Sequence, residues 1–169
     1  MLRPVSLAIR LALATVVVTL SACGGKKFPT TYPVKGKILV NGQPAKECQI
    51  TLQPTMTTGD PATQAVPRGI TDEKGEFQLT SFKANDGAPE GEYVVTIEWR
   101  DRAGISQALE GPDQLGGAYA KMDKNRGLKG FAVQVGKQPL DLPPFELTQT
   151  AEAKRQYEAK KKPPGPRRR

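Results

Sequence analysis

The 169-residue sequence contains no histidine. That removes the commonest general base near neutral pH and the commonest ligand for transition metals. Serine–histidine and cysteine–histidine nucleophile systems are thereby excluded. Cysteine is nearly absent too, at Cys23 and Cys48 alone, so a zinc site built from His and Cys cannot be furnished. No cofactor and no metal are expected, and the chain reads as a non-enzyme. Aromatic residues make up 6% of the chain. Long apolar runs are missing as well. The best one, Leu11–Leu20, is about ten residues, against the roughly 20 that a bilayer-spanning helix requires.

That short run is informative for what surrounds it. Arg3 and Arg10 precede it with no acid nearby, and Leu20-Ser21-Ala22-Cys23 closes it. A basic start, an apolar segment of this length and small residues at its end make a secretory leader. Cysteine immediately after Ala22 resembles the bacterial lipoprotein signal. The resemblance implies cleavage between Ala22 and Cys23, a thioether-linked diacylglycerol on Cys23, and acylation of the new N-terminus. Each buried methylene contributes about 0.8 kcal/mol, so two or more chains hold a protein to a membrane. The expected organisation is a leader over 1–22, a flexible polar spacer over 23–31, a folded domain over 32–147 and a basic, proline-rich tail over 148–169. The expected location is the cell envelope, facing the periplasm or the outside.

Net charge is unevenly placed. Of the formal +8, Arg3 and Arg10 contribute two, and residues 23–150 balance 15 Lys and Arg against 15 Asp and Glu. Residues 151–169 hold eight basic side chains against Glu152 and Glu158, a surplus of six. The protein is a neutral body with a cationic end. Thr150–Lys160 is rich in helix formers, but isolated helices this short are marginal in water, and Pro163-Pro164-Gly165-Pro166 ends any helix. The segment is expected to be disordered or transiently helical.

Between 32 and 147 the pattern is that of strands. Val34, Ile38 and Val40 alternate with Lys35 and Lys37, and Asn41-Gly42 follows as a hairpin signal. Cys48, Ile50 and Leu52 share one face, which makes Cys48 a core residue. If Cys23 carries lipid, Cys48 has no disulfide partner. Residues 54–68 read as a loop, and Thr71–Gly75 and Asn85–Gly91 as turns, with Asp72 capping through its side chain. Phe77 and Leu79 mark a strand between those turns. Tyr93, Val95, Ile97 and Trp99 alternate most clearly, and Phe131, Val133 and Val135 do so again. A last strand falls within 139–147, where Pro143-Pro144 forces an edge or a break. Residues 100–127 are expected to be a long loop. About six short strands with turns between them predict an all-β, antiparallel sandwich.

Three stretches together resemble a known group: Tyr32–Lys37 with Asn41–Pro44, Gly69–Phe77, and Asp86–Val95. They are similar to small secreted lipoproteins of planctomycete bacteria, whose domain is like the carboxypeptidase regulatory-like or transthyretin-like sandwich. Leu115–Tyr119 and Pro143–Leu147 resemble that group's closing elements. The resemblance implies seven strands in a transthyretin-like or Ig-like sandwich and an envelope location. It implies no particular reaction.

Few residues are candidates for function. Tyr119, in the long loop, is the aromatic freest to meet a sugar or small ligand. Lys160, Lys161, Lys162, Arg167, Arg168 and Arg169 suit an anionic envelope polymer or lipid headgroups, by attraction that is salt-sensitive and sequence-independent. No specific nucleic-acid partner is expected. Asp72, Glu73, Glu76, Asp86 and Glu90 cluster near turns, but turn chemistry accounts for Asp72 and Asp86 without calcium. The favoured role is a membrane-tethered structural or adhesion module. The alternative is a carbohydrate- or small-ligand-binding module, and an enzyme using carboxylates alone ranks last.

Overall fold

The computed structural model describes residues 28–56, 64–100 and 111–161. It is built around two sheets. One is an antiparallel ladder in the order β5 (Arg68–Ile70), β4 (Gln49–Pro54), β8 (Gly91–Glu98), β9 (Ala132–Val135). The other is centred on β2 (Val34–Val40). One edge of β2 pairs antiparallel with β3 (Gln43–Pro44) and β6 (Glu76–Gln78), and the other pairs parallel with β10 (Leu140–Asp141) and β11 (Phe145–Leu147). A small ribbon of β1 (Thr31–Tyr32) and β7 (Ala88–Pro89) completes the strands.

Alternation along these strands makes the core. Val34, Ile38, Val40, Phe77, Leu79, Phe145 and Leu147 face inward from the β2 sheet. Cys48, Ile50, Leu52, Tyr93, Val95, Ile97, Val133 and Val135 meet them from the other, all buried. The protein is thus an all-β sandwich in its body, as the periodicity predicts. Strand direction differs from expectation at one edge. Pro143 and Pro144 break the last strand into β10 and β11, and both run parallel to β2 because the chain crosses from the β9 sheet to reach that edge. The wholly antiparallel sandwich is corrected to a mixed one.

The sheets join at one corner. Arg68 and Thr80 exchange backbone hydrogen bonds at 2.9 and 2.8 Å, linking the chain beyond β6 to β5. A Cβ at Gly69 would lie 2.9 Å from the Gln78 carbonyl and 3.3 Å from Ile50 Cγ2, so this corner closes only around a glycine. Turn residues behave as read from the sequence. Asn41 (φ 51°) and Gly42 (φ 77°) form the tight β2–β3 hairpin. Asp72 Oδ1 accepts the N–H groups of Lys74 and Glu76 at 2.8 and 2.9 Å.

The C-terminal region is the largest departure. Residues 151–161 were expected to be disordered or transiently helical, yet Ala151–Lys161 forms a helix, α2. Thr150 Oγ1 accepts the Ala153 N–H at 3.1 Å as an N-cap. Glu152 sits in the first turn and Lys160 and Lys161 in the last, matching the helix dipole. Ala153 and Tyr157, four residues apart, are buried. Tertiary docking of that stripe supplies what the isolated segment lacks. The spacer expected over 23–31 also ends early, since Thr31 pairs with Pro89 and Phe28 lies on Phe82 with ring centroids 4.6 Å apart.

Candidate functional site

The strands give the molecule two distinct ends. The antiparallel register of β4 with β8 puts Pro54 beside Tyr93 at one end and Gln49 beside Glu98 at the other. Pro29, Pro54, Pro89 and Gly91 line one cleft, so the chain enters the described residues at the first, proximal end. Trp99 and Arg100 continue β8 at the second, distal end. There Asp113 gathers the following loop: its Oδ1 accepts the N–H groups of Trp99 (2.9 Å) and Leu115 (3.1 Å), and its Oδ2 that of Gly117 (2.7 Å). On this platform α2 docks. A Cβ added at Gly116 would lie 3.0 Å from Ala153 Cβ, and Tyr157 and Lys160 line a cleft with Arg100 and Gly117.

The residues singled out in the sequence are thereby scattered. Ala22, Cys23, Lys162, Arg167, Arg168 and Arg169 lie outside the described residues. Lys160 and Lys161 end α2 at the distal end, and Lys161 Nζ lies 3.2 Å from the Tyr157 hydroxyl and 5.4 Å from its ring centroid. Tyr119 is not the free aromatic that its loop position suggested. It is half-buried and stacked on Phe131 at 5.8 Å, and its hydroxyl accepts the Thr148 N–H at 3.1 Å. Its carbonyl takes the N–H of Ile97 at 2.9 Å, which makes Tyr119 a surrogate strand beside β8. The expected long loop is in part a continuation of the sheet and includes a short helix, α1 (Met122–Asn125). Tyr93 is buried, with its hydroxyl donating to the Pro89 carbonyl, and the Trp99 indole N–H donates to Lys46 at 2.9 Å.

The acids near turns serve those turns. For Asp72, the bond from the Glu76 N–H, helped by the Lys74 N–H and the charges of Lys74 and Lys37, outweighs desolvation and holds its carboxyl below the ordinary value. For Asp86, partial desolvation pushes upward, but the N–H groups of Ser81, Lys83 and Phe82 prevail and the net shift is downward. Cys48 is wholly buried, and desolvation followed by the charge of Asp113 pushes its thiol up to about 12, which makes it inert. Among the described residues no three His, Cys, Asp or Glu side chains come together as a metal site.

One open groove of about 820 Å³ crosses the corner where β5 and β6 diverge. Lys35, Lys37, Asp141 and Glu76 line it, and they pair as Lys35–Asp141 (3.3 Å) and Lys37–Glu76 (4.0 Å). Its aromatic, Phe77, is 3% exposed. The groove therefore offers hydrogen-bonding groups but no ring face on which a sugar would stack.

Two features escaped the sequence reading. Asp113, four residues before Gly117 and followed by Gly116-Gly117, is a turn signal of the same kind as Asp72 and was legible. The Phe28–Phe82 pair joins a residue of the expected spacer to one just beyond the Phe77–Leu79 strand, and no local pattern announces it.

No family model matches this chain, and no curated protein does. Among solved structures it is similar to a 9R-lipoxygenase from Cyanothece, at 12% identity and a TM-score of 0.36, over 86% of this chain and 21% of that one. It is also similar to a DUF3823 family protein from Parabacteroides merdae, at 14% identity and a TM-score of 0.30, over 73% of this chain and 47% of that one. The chain thus spans less than half the length of either. The β-sandwich rests on the strand pairings themselves.

Proposed function

We propose that this is a non-catalytic, lipid-tethered β-sandwich of a bacterial cell envelope, which links a membrane at its proximal end to an anionic layer at its distal end. The observation that carries the reading is the opposition of the two ends. β8 is eight residues long, which separates the ends by about 23 Å at roughly 3.3 Å per residue. Phe28 follows Cys23 by five positions and enters at the proximal end, whereas α2, which precedes Lys162 and the closing arginines in sequence, lies at the distal end. That spacing exceeds the screening length of about 8–10 Å at physiological salt, so the cationic end acts on whatever lies beyond the membrane surface.

Supporting observations come from the sequence and the site together. Leu20-Ser21-Ala22-Cys23 resembles the lipoprotein signal, and the three turn stretches resemble secreted planctomycete lipoproteins. The chain has no histidine, and Asp72, Asp86 and Asp113 are engaged by backbone N–H groups of their own loops.

The test is retention of the full acylated protein, displayed on vesicles, by polygalacturonate. The full chain should bind at low salt and release as salt rises. A chain ending at Lys161, which keeps α2 but lacks Lys162, Arg167, Arg168 and Arg169, should lose most of that retention. Equal retention by the shortened chain would end the cationic-tail reading. Saturable, salt-insensitive stabilisation by neutral oligosaccharides would favour a carbohydrate-binding module instead.

A further inference from the structure

We infer that the proximal end carries a bilayer-contact face centred on Phe28 and Phe82, an inference that rests on the lipid tether proposed above. Phe28 is 52% exposed and its ring lies 4.6 Å from that of Phe82, tilted by 32°. Met56 (71% exposed) adjoins Pro29 across the same end, and Val66 (37% exposed) follows Ala65 in that cleft. Three of the five large apolar side chains exposed among the described residues, Phe28, Met56 and Val66, therefore lie at or beside the proximal end.

The Phe28–Phe82 contact is built, not incidental. Phe82 stands on a loop clamped by Asp86, whose carboxylate accepts the N–H groups of Ser81 (2.7 Å), Phe82 (3.1 Å) and Lys83 (2.9 Å). Ser81 Oγ donates to the Gly87 carbonyl at 2.6 Å. Gly87 (φ +86°) is pressed against β1: a Cβ there would fall 1.8 Å from the Tyr32 carbonyl oxygen. The loop that presents Phe82 is thus fastened to the strand that follows Phe28, and the two rings are held together before any partner arrives.

Chain length says what covers them. Four residues lie between Cys23 and Phe28, and the five steps from one to the other span at most about 18 Å at full extension. A diacylglycerol on Cys23 therefore keeps Phe28 within about 18 Å of the membrane interface, with the headgroup layer inside its reach. Aromatic rings favour that layer, and lysines beside them meet anionic headgroups. Lys83, which is exposed, directly follows Phe82. Among the described residues the acids at this end are Asp86, Glu90 and Glu92; Asp86 is engaged by the N–H groups of Ser81, Phe82 and Lys83, and Glu90 lies 3.8 Å from Lys137. The occupant is a lipid surface, with the two rings at the interface and the long axis of β8 leading away from it.

The experiment uses the full acylated chain, its lipid verified by mass, on vesicles of phosphatidylethanolamine and phosphatidylglycerol. A nitroxide is placed by Lys83→Cys or, at the distal end, by Glu158→Cys. The probe at 83 should show a ratio of oxygen to nickel-complex accessibility at least about twofold above that at 158, as expected for the headgroup interface. Phe28→Ser with Phe82→Ser should abolish the difference while acylation is retained. Equal ratios at the two sites in acylated protein would overturn the contact face and leave the tether standing. If Cys23 proves unmodified, the tether reading fails. The face is then judged by partition of the mature chain onto the same vesicles: binding lost in the double variant sustains it, and no binding overturns it. Self-association without lipid that the double variant abolishes would assign the face to a second copy and also overturn the proposal.

Discussion

The Asn125 side-chain amide donates to the Val95 carbonyl at 2.8 Å and to the Tyr119 carbonyl at 2.7 Å. β9 pairs with β8 only as far as Val94. Beyond it Val95 N–H reaches Phe131 and Ile97 N–H reaches Tyr119, so Asn125 fills the gap between two backbone donors. A side chain thereby completes an edge of the sheet. Asn125→Ala leaves the Val95 carbonyl without its donor and the Tyr119 carbonyl with only the Ile97 N–H, and should cost about 1–3 kcal/mol in urea unfolding. Asn125→Asp should cost more, because a fully buried carboxylate would face two carbonyl oxygens. An alanine variant as stable as the parent would show that water replaces the amide without loss.

Asp86 predicts an acid-side dependence. Its carboxyl is held below the ordinary 3.8 in the folded chain. A depressed folded value means the contribution is complete above 3.8 and is lost as pH falls through the lower, folded value. Asp86→Asn should destabilise the protein near neutral pH, with the gap from the parent narrowing as acid is added below about pH 4. The same series measured with the Lys83 nitroxide separates stability from the placement of Phe82. A gap that stays constant down to pH 2 would show that the clamp works equally well without charge.

Cys48 makes the opposite prediction at the alkaline side. Burial raises its thiol from 9.0 to about 12, so the unfolded chain ionises first as pH rises. The stability it confers is full below 9 and declines between 9 and about 12. Cys48→Ala should be less stable by about 1 kcal/mol near neutral pH, with a shallower alkaline decline than the parent. In the folded mature chain carrying Cys23→Ser, Cys48 should resist thiol reagents at pH 8 and react fully in denaturant. Rapid native-state labelling would mean that the interior around Glu98 and Asp113 opens readily.

How much of this was legible depended on whether the cause was local. Period-two alternation placed Val34, Ile38, Ile50, Tyr93, Val95, Ile97 and Val133 on the core side, and the chemistry of Asn41-Gly42 and Asp72–Gly75 placed two turns. Each is a property of consecutive residues. Strand direction at the last edge was not legible, because Pro143-Pro144 signals a break without saying how the chain returns. Tyr119 was misplaced for a related reason. Its loop carries no periodicity, and what holds the ring is Phe131 and the Thr148 N–H, twelve and 29 residues away. The Phe28–Phe82 pair is the same case at longer range.

Helix α2 shows that distinction most sharply and yields the last prediction. Its composition permits a helix, its charges suit one, and Thr150 caps it, but none of these suffices for eleven residues in water. The deciding contacts are Ala153 on Gly116 and Tyr157 in the cleft beside Asp113, on a loop that Asp113 itself shapes. Tyr157→Ala should therefore release the helix without unfolding the sandwich: amide exchange should lose protection over 151–161 while β4 and β8 keep theirs. Asp113→Ala should do the same from the other side of the contact, since the platform loses three backbone bonds at once. A chain ending at Lys161 should keep full protection, because the contacts that hold α2 lie before that point. If Tyr157→Ala leaves exchange over 151–161 unchanged, the helix is sustained by capping and charge alone. The distal presentation of the basic residues would then no longer depend on the sandwich beneath them.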